Sequence, residues 1–228
     1  AVALEAIEAE GLDARVLFVD DGSLDGTWPL LCGIANGDRR GSLLRLSRNF
    51  GKEAALCAGL EHASGDAVIP IDVDLQDQPD VIPAMVAKWQ RGARIVNARR
   101  IDRSSDTWAK RTSAAAFYRV FNALSDHPMP SNVGDFRLLD RQVVDVLRSM
   151  GEQTRLNKAL LAWVAFQTEE VTFERNPRCS GKSSMTVWRL WGLPLDGIIG
   201  STSKPLRIWT YAGTALGLLS PLYARYTL

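Results

Sequence analysis

Val68-Ile69-Pro70-Ile71-Asp72-Val73-Asp74-Leu75-Gln76-Asp77 joins an apolar run to an acidic exit. The apolar part, residues 67–71, reads as a buried strand. Side chains alternate along a strand, so Asp72, Asp74 and Gln76 share one side as the chain leaves the sheet. Two carboxylates and an amide carbonyl are hard oxygen ligands, suited to Mg²⁺ or Mn²⁺. Magnesium usually keeps one or two carboxylates and takes the rest of its shell from water and substrate phosphates. The spacing therefore implies a phosphorylated partner and, in outline, a nucleotide or nucleotide-sugar enzyme. The plain alternative is a strand followed by an acidic, solvated turn, which Asp-x-Asp alone would favour.

The flanking sequence alternates strand and helix signals. Residues 15–19 read as a buried strand ending in the turn cluster Asp20-Asp21-Gly22-Ser23. A helix is expected over 27–35, a strand over 42–46, a helix over 52–62 after Gly51, a helix over about 80–90 and a strand over 93–98. This order predicts a doubly wound α/β sheet, Rossmann-like with helices on both faces, whose ligands sit at the strands' C-terminal ends. Asp20-Asp21 and Asp72/Asp74 both stand at such ends, so one crevice should hold both acidic clusters. Further on, helices are expected over 107–125, 141–150 and 156–166, with strands over 134–139 and 170–175.

Charge is distributed unevenly. Residues 1–90 carry 7 Lys+Arg against 15 Asp+Glu, a net of −8, whereas residues 91–228 carry 20 against 11, a net of +9. The first part should meet a cation and the second an anion. Cys32, Cys57 and Cys179 fit neither a zinc pattern nor a disulfide framework, which suits a reducing compartment. The two histidines, His62 and His127, are too far apart for a histidine metal site.

The last part changes character. Met185, Trp188, Leu190, Trp191 and Leu193, with Arg189 among them, form a Trp-rich amphipathic pattern suited to a bilayer interface, or to a core helix. Residues 208–224 are 17 in a row without a charge, slightly short of the ~20 that cross a bilayer. The expectation is a catalytic domain over 1–178, an acceptor loop with interfacial helices over 179–207, and the start of a transmembrane segment over 208–228.

Four motifs occur in one order: Val19-Asp20-Asp21-Gly22-Ser23-x-Asp25-Gly26-Thr27, Arg48-Asn49-Phe50-Gly51-Lys52, Asp72-x-Asp74-Leu75-Gln76-Asp77 and Gly134-Asp135-Phe136-Arg137-Leu138. Together they resemble the inverting GT-A glycosyltransferases of family 2, within them the polyprenyl-phosphate sugar transferases of the bactoprenol glucosyltransferase and dolichol-phosphate mannose synthase type. The resemblance implies a GT-A fold, a divalent cation, a nucleotide-sugar donor (UDP-glucose favoured) and a polyprenyl phosphate acceptor. The product would be a polyprenyl-phosphate sugar of inverted configuration. It also implies a membrane location with the catalytic domain on the cytoplasmic face, as in a bacterial inner membrane. No nucleic-acid partner is expected, and a homo-oligomer is left open.

Residue by residue, the resemblance sets Asp20, Asp21, Gly22, Lys52 and Asp72 against the nucleotide and Asp72, Asp74 and Gln76 on the metal. It sets Asp135 and Asp74 at the chemistry. A phosphate monoester is already anionic at pH 7, so Asp135 is expected to position or stabilise charge rather than abstract a proton; a pair with Arg137 is the structural alternative. Lys52 and Arg48 could meet a phosphate or steady their turn. An anionic acceptor needs cations, and residues 91–119 are rich in arginine, so Arg99, Arg103 and Arg111 are expected to face its phosphate. Arg178-x-x-Gly181-Lys182-Ser183 resembles the family's mobile loop, adding Arg178 and Lys182. Ser184 and Met185 stand where that loop usually has Lys and Tyr. The family's opening strand and its Pro-x-Tyr-Asn-Glu-like loop have no counterpart here, which implies a longer native protein. Alternative functions are a catalytically silent, membrane-anchored module that binds a nucleotide sugar or lipid phosphate, and a family 2 transferase with a saccharide acceptor.

Overall fold

The computed structural model describes residues 2–73, 77–100, 133–150, 164–173 and 204–227, together with Arg119 and Leu161. Helix α1 (Val2–Glu8) precedes strand β1 (Val16–Asp20), helix α2 (Thr27–Gly37), strand β2 (Gly41–Arg45) and helix α3 (Lys52–His62). Strand β3 (Ala67–Val68) follows, then a 3₁₀ turn (Pro79–Val81), helix α4 (Ile82–Gln90) and strand β4 (Ile95–Arg100). Strand β5 (Val133–Asp140), helix α5 (Arg141–Ser149), strand β6 (Thr168–Phe173) and helix α6 (Lys204–Thr227) complete the described elements.

The strands form two sheets among the described residues. β1 and β2 pair in parallel, with Asp20 opposite Arg45. The second sheet runs β3-β5-β4-β6, in which β5 is antiparallel to both β3 and β4, while β6 is parallel to β4. The α/β order is as expected, and within it β5 returns antiparallel between β3 and β4, so the sheet is mixed. The strand expected over 67–71 also shrinks to two residues. Pro70 has no N–H to donate to a ladder, and Val73 beyond it is 90% exposed.

Alternation along β4 and β5 feeds two cores and explains why helices cover both faces. Val96, Ala98, Phe136 and Leu138 point one way, into a core with Ile82, Met85 and Val86 of α4 and Phe173 of β6. Phe136 and Phe173 meet edge to face at 5.9 Å. Ile95 and Leu139 point the other way, onto Leu60 of α3 and Val143, Val144 and Leu147 of α5. Full burial of each such side chain contributes roughly 2 kcal/mol. Asp135 and Arg137 lie four and two residues before Leu139, so the pleat directs them to the α3 side of the sheet. The start of β5 therefore faces the start of α3.

The C-terminal end of α3 is held. Arg148 of α5 donates to the carbonyls of Leu60, Glu61 and Ala63 at 3.0, 2.7 and 2.6 Å, satisfying carbonyls that the helix end leaves open. At the start of α5, Asp140 caps the helix by accepting the Gln142 amide at 2.9 Å. Its carboxylate also accepts Trp89 Nε1 at 2.8 Å and Arg94 Nη1 at 3.0 Å. Burial alone would raise the Asp140 pKa, but these bonds and the Arg94 charge outweigh it and hold the group below the ordinary carboxylate value.

Helix α6 is 24 residues long, about 36 Å at the standard rise, and Trp209, Tyr211, Leu216, Leu218 and Leu219 are exposed on it. No helix among the described residues is long and apolar enough to cross a membrane. The start of a transmembrane segment expected over 208–228 is therefore not upheld: Thr210, Gly213, Thr214, Gly217, Ser220 and Pro221 dilute its leucines. The amphipathic pattern around Trp188 and the helix expected over 107–125 lie outside the described residues, apart from Arg119.

Candidate active site

The acidic turn after β1 is organised by its own chain. Asp20 is 3% exposed. Its Oδ1 accepts the Ser23 amide at 3.1 Å, and its Oδ2 makes no hydrogen bond but lies 3.3 Å from Arg45 Nε as an ion pair. Arg45 also donates to the Ser23 carbonyl at 3.1 Å and lies over the Trp28 ring at 5.1 Å. Asp21 reaches across to the loop between β2 and α3, accepting the amides of Phe50 and Gly51 at 2.8 Å each. Gly22 has φ +68°, and a Cβ there would lie 2.4 Å from the Arg48 carbonyl carbon. The close approach that requires this glycine is thus the backbone of Arg48. Arg48 itself lies over the Phe50 ring at 4.3 Å.

These contacts wall a cavity of about 430 Å³ lined by Gly22, Leu24, Arg45, Leu46, Ser47, Arg48 and Asn49. An ionised carboxylate has about four acceptor positions, so Asp21 keeps capacity after its two amide bonds. The turn is built first as structure, with acceptor sites left over.

The second cluster centres on Lys52, the first residue of α3. Its ammonium lies 2.6 Å from Asp72 Oδ2 and 2.7 Å from Asp135 Oδ2. The two carboxylates arrive from different parts of the sheet, Asp72 beyond β3 and Asp135 near the start of β5. The Asp135 side chain is 16% exposed, Asp72 37% and Lys52 53%. Burial would lower the Lys52 pKa, but the hydrogen bonds and charges of Asp135 and then Asp72 outweigh it, raising it above the ordinary lysine value. The ammonium is therefore charged throughout the neutral range. Asp21 ties Gly51 in place one residue before Lys52, so the acidic turn and this cluster share a single loop.

Of the metal set inferred from sequence, only Asp72 is described; Asp74 and Gln76 lie outside the described residues. No group of three His, Cys, Asp or Glu able to hold a metal is found among the described residues. The Asp72 oxygen is nonetheless a hard donor that already holds a cation, and Asp135 converges on that same cation, a donor chemistry that fits Mg²⁺ or Mn²⁺. Arg99 donates to Glu170 Oε2 at 3.0 Å, across the β4–β6 pair. Arg137, buried, donates to the Gly134 carbonyl and so steadies the start of β5 beside Asp135. Arg103, Arg111, Arg178 and Lys182 lie outside the described residues.

Sequence reasoning missed Arg45. Its signal lies in the parallel register that sets it opposite Asp20, and that pairing is not local information. The bridging role of Lys52 was also missed, because Asp72 and Asp135 are far apart in the chain and meet only through the mixed sheet.

The profile of glycosyl transferase family 2 matches residues 2–148. An uncharacterized glycosyltransferase of Synechocystis is 43% identical over 98% of this chain and 70% of its own length. The bactoprenol glucosyl transferase of Shigella phage SfV is 45% identical over 96% of this chain and 71% of its own. A prophage bactoprenol glucosyl transferase homolog of Escherichia coli is 43% identical over 96% and 72%. Among solved structures, glucosyl-3-phosphoglycerate synthase of Mycobacterium tuberculosis, in complex with Mn²⁺, UDP and phosphoglyceric acid, superposes with a TM-score of 0.55 at 18% identity, over 85% of this chain and 69% of that one. A mannosyltransferase of Pyrobaculum calidifontis, in complex with GDP-mannose and Mn²⁺, gives 0.51 at 15% identity, over 96% and 77%. These two likenesses show the fold, the GT-A α/β arrangement with a mixed sheet.

Proposed function

The chain belongs to glycosyl transferase family 2, and from that premise we propose that it transfers glucose from UDP-glucose to a polyprenyl phosphate with inversion at the anomeric carbon. Support for the acceptor comes from the relatives named bactoprenol glucosyl transferase, alike over nearly the whole chain. The geometric observation that carries the reading is the convergence of Asp72, beyond β3, and Asp135, on β5, on one positive charge. A transferase of this kind must hold a diphosphate and a sugar between an anionic acceptor and a cationic leaving-group site.

In this reading the nucleoside packs into the cavity beside Gly22, Arg45 and Arg48, within reach of the acceptor positions left on Asp21. Asp72, with Asp74 and Gln76, would hold Mg²⁺ or Mn²⁺, whose chemistry when bound is Lewis-acid stabilisation of the departing diphosphate. Lys52 stands one side chain away to receive a phosphate. Asp135, mostly screened from solvent, orients the sugar and the incoming oxygen. The acceptor phosphate is already anionic, so Asp135 need not remove a proton. Attack opposite the leaving group then depends on alignment and on preorganised charge.

The acceptor phosphate would be met by Arg99, Arg103, Arg111, Arg178 and Lys182. Meeting a lipid acceptor requires association with a membrane surface, proposed here on the cytoplasmic face of a bacterial inner membrane. Exposed Trp209 and Tyr211 on α6 suit headgroup depth. The test is a cell-free assay with UDP-glucose, undecaprenyl phosphate and Mn²⁺ or Mg²⁺. A lipid-linked glucose that disappears with EDTA is expected; no lipid-linked product with UDP-glucose or any other common nucleotide sugar would defeat the proposal.

A further inference from the structure

The Lys52 ammonium sits where two carboxylates converge, and its own stem is half exposed. Asp72 and Asp135 are its ion-pair partners among the described residues, and about half of its side chain is open to solvent. Two carboxylates and one ammonium leave the cluster with a net charge of −1. A divalent cation on the same Asp72 carboxylate would lie within a few ångströms of that ammonium, so each would weaken the other by like-charge repulsion. The conflict ends when a diphosphate arrives, because its oxygens offer Lys52 an anionic partner that also takes up the metal's charge.

We propose that Lys52 is a built-in counter-cation that competes with the divalent metal for Asp72 and yields it when a nucleoside diphosphate binds. Lys52 thus acts as a positioning residue that makes metal and donor bind together. Before the donor arrives, it holds Asp72, beyond β3, and Asp135, on β5, together. Afterwards it moves to the diphosphate. Metal alone binds weakly, the nucleotide strengthens metal binding, and by linkage the metal strengthens nucleotide binding by the same factor.

The inference rests on the metal-dependent reading above and is tested by Mn²⁺ binding, followed by electron paramagnetic resonance on the full chain, with and without UDP. Wild type should bind Mn²⁺ at least about tenfold more tightly with UDP than without, within the usual range of such couplings. Lys52→Met should bind Mn²⁺ alone about tenfold more tightly than wild type, and UDP should then add only about twofold. Thermal unfolding checks that the variant is folded. If Met is not tolerated, Lys52→Gln, which keeps a hydrogen-bond donor without the charge, carries the same expectation. Wild type that binds Mn²⁺, together with a variant that binds it equally or more weakly without UDP, overturns the inference and leaves the metal reading standing. Wild type that binds no Mn²⁺ even with UDP overturns both.

Discussion

Asp20 and Asp21 end one strand, and Asp72 follows another, yet the two acidic regions do different work. The carboxylates after β1 are turned inward: Asp20 onto the Ser23 amide and Arg45, Asp21 onto the amides of Phe50 and Gly51. Those of Asp72 and Asp135 meet at the ammonium of the half-exposed Lys52 side chain. Fixed backbone partners make the first region a scaffold. In the proposed reading, a displaceable cation would make the second a binding centre. An acidic residue at a strand's end is therefore informative about function only once its partner is known.

The contrast predicts different readouts for substitutions in the two regions. Asp72→Ala and Asp135→Ala should each lower turnover by about 10³-fold, the scale of losing a preorganised charge at the reacting centre, with an unchanged circular dichroism spectrum; equal losses of activity and folded structure would erase the distinction. Gly22→Ala should act in the opposite way, mainly on stability. Its Cβ would press on the Arg48 backbone at a positive φ, and denaturant unfolding should show a loss of about 2 kcal/mol or more.

A smaller effect is expected at Asp140, a carboxylate with fixed partners that lies away from both clusters. Asp140→Asn should cost roughly 1–2 kcal/mol at neutral pH by weakening the cap and the bonds from Trp89 and Arg94. Because the folded carboxyl titrates below its unfolded value of about 3.9, its contribution is complete above that pH. It is lost as the pH falls through the lower folded value. Urea midpoints between pH 2 and 6 should show a steeper acid-side decline in wild type than in the variant. Least of all, Arg99→Ala should leave folding within about 0.5 kcal/mol, since its pair with Glu170 is exposed. If it raises the KM for polyprenyl phosphate, the proposed contact with the acceptor gains support.

The parts of the fold governed by local pattern were readable from sequence. Helix α3 spans the expected residues, and β1 and β5 begin and end within a residue or two of their expected limits, because apolar periodicity and the flanking turn residues are local signals. The order of the strands was not readable: nothing near residues 133–140 says that β5 will lie antiparallel between β3 and β4. The brevity of β3 was legible in Pro70 but was outweighed by the apolar residues around it. At the candidate site, the motifs singled out Asp20, Asp21, Asp72 and Asp135, whereas Arg45 and the convergence on Lys52 depend on strand register and tertiary approach. The expected start of a transmembrane segment over 208–228 is not upheld, for another reason. Absence of charge was read as apolarity, and small polar residues and glycines lower hydropathy without adding charge.

The most direct test is the anomalous signal of Mn²⁺ in crystals grown with Mn²⁺ and a non-hydrolysable UDP-glucose analogue. The account predicts the ion at coordination distance from Asp72, about 2.1 Å, with Lys52 moved onto the diphosphate and Asp135 facing the sugar. An ion bound elsewhere, beside an unbroken Asp72–Lys52–Asp135 bridge, would contradict it.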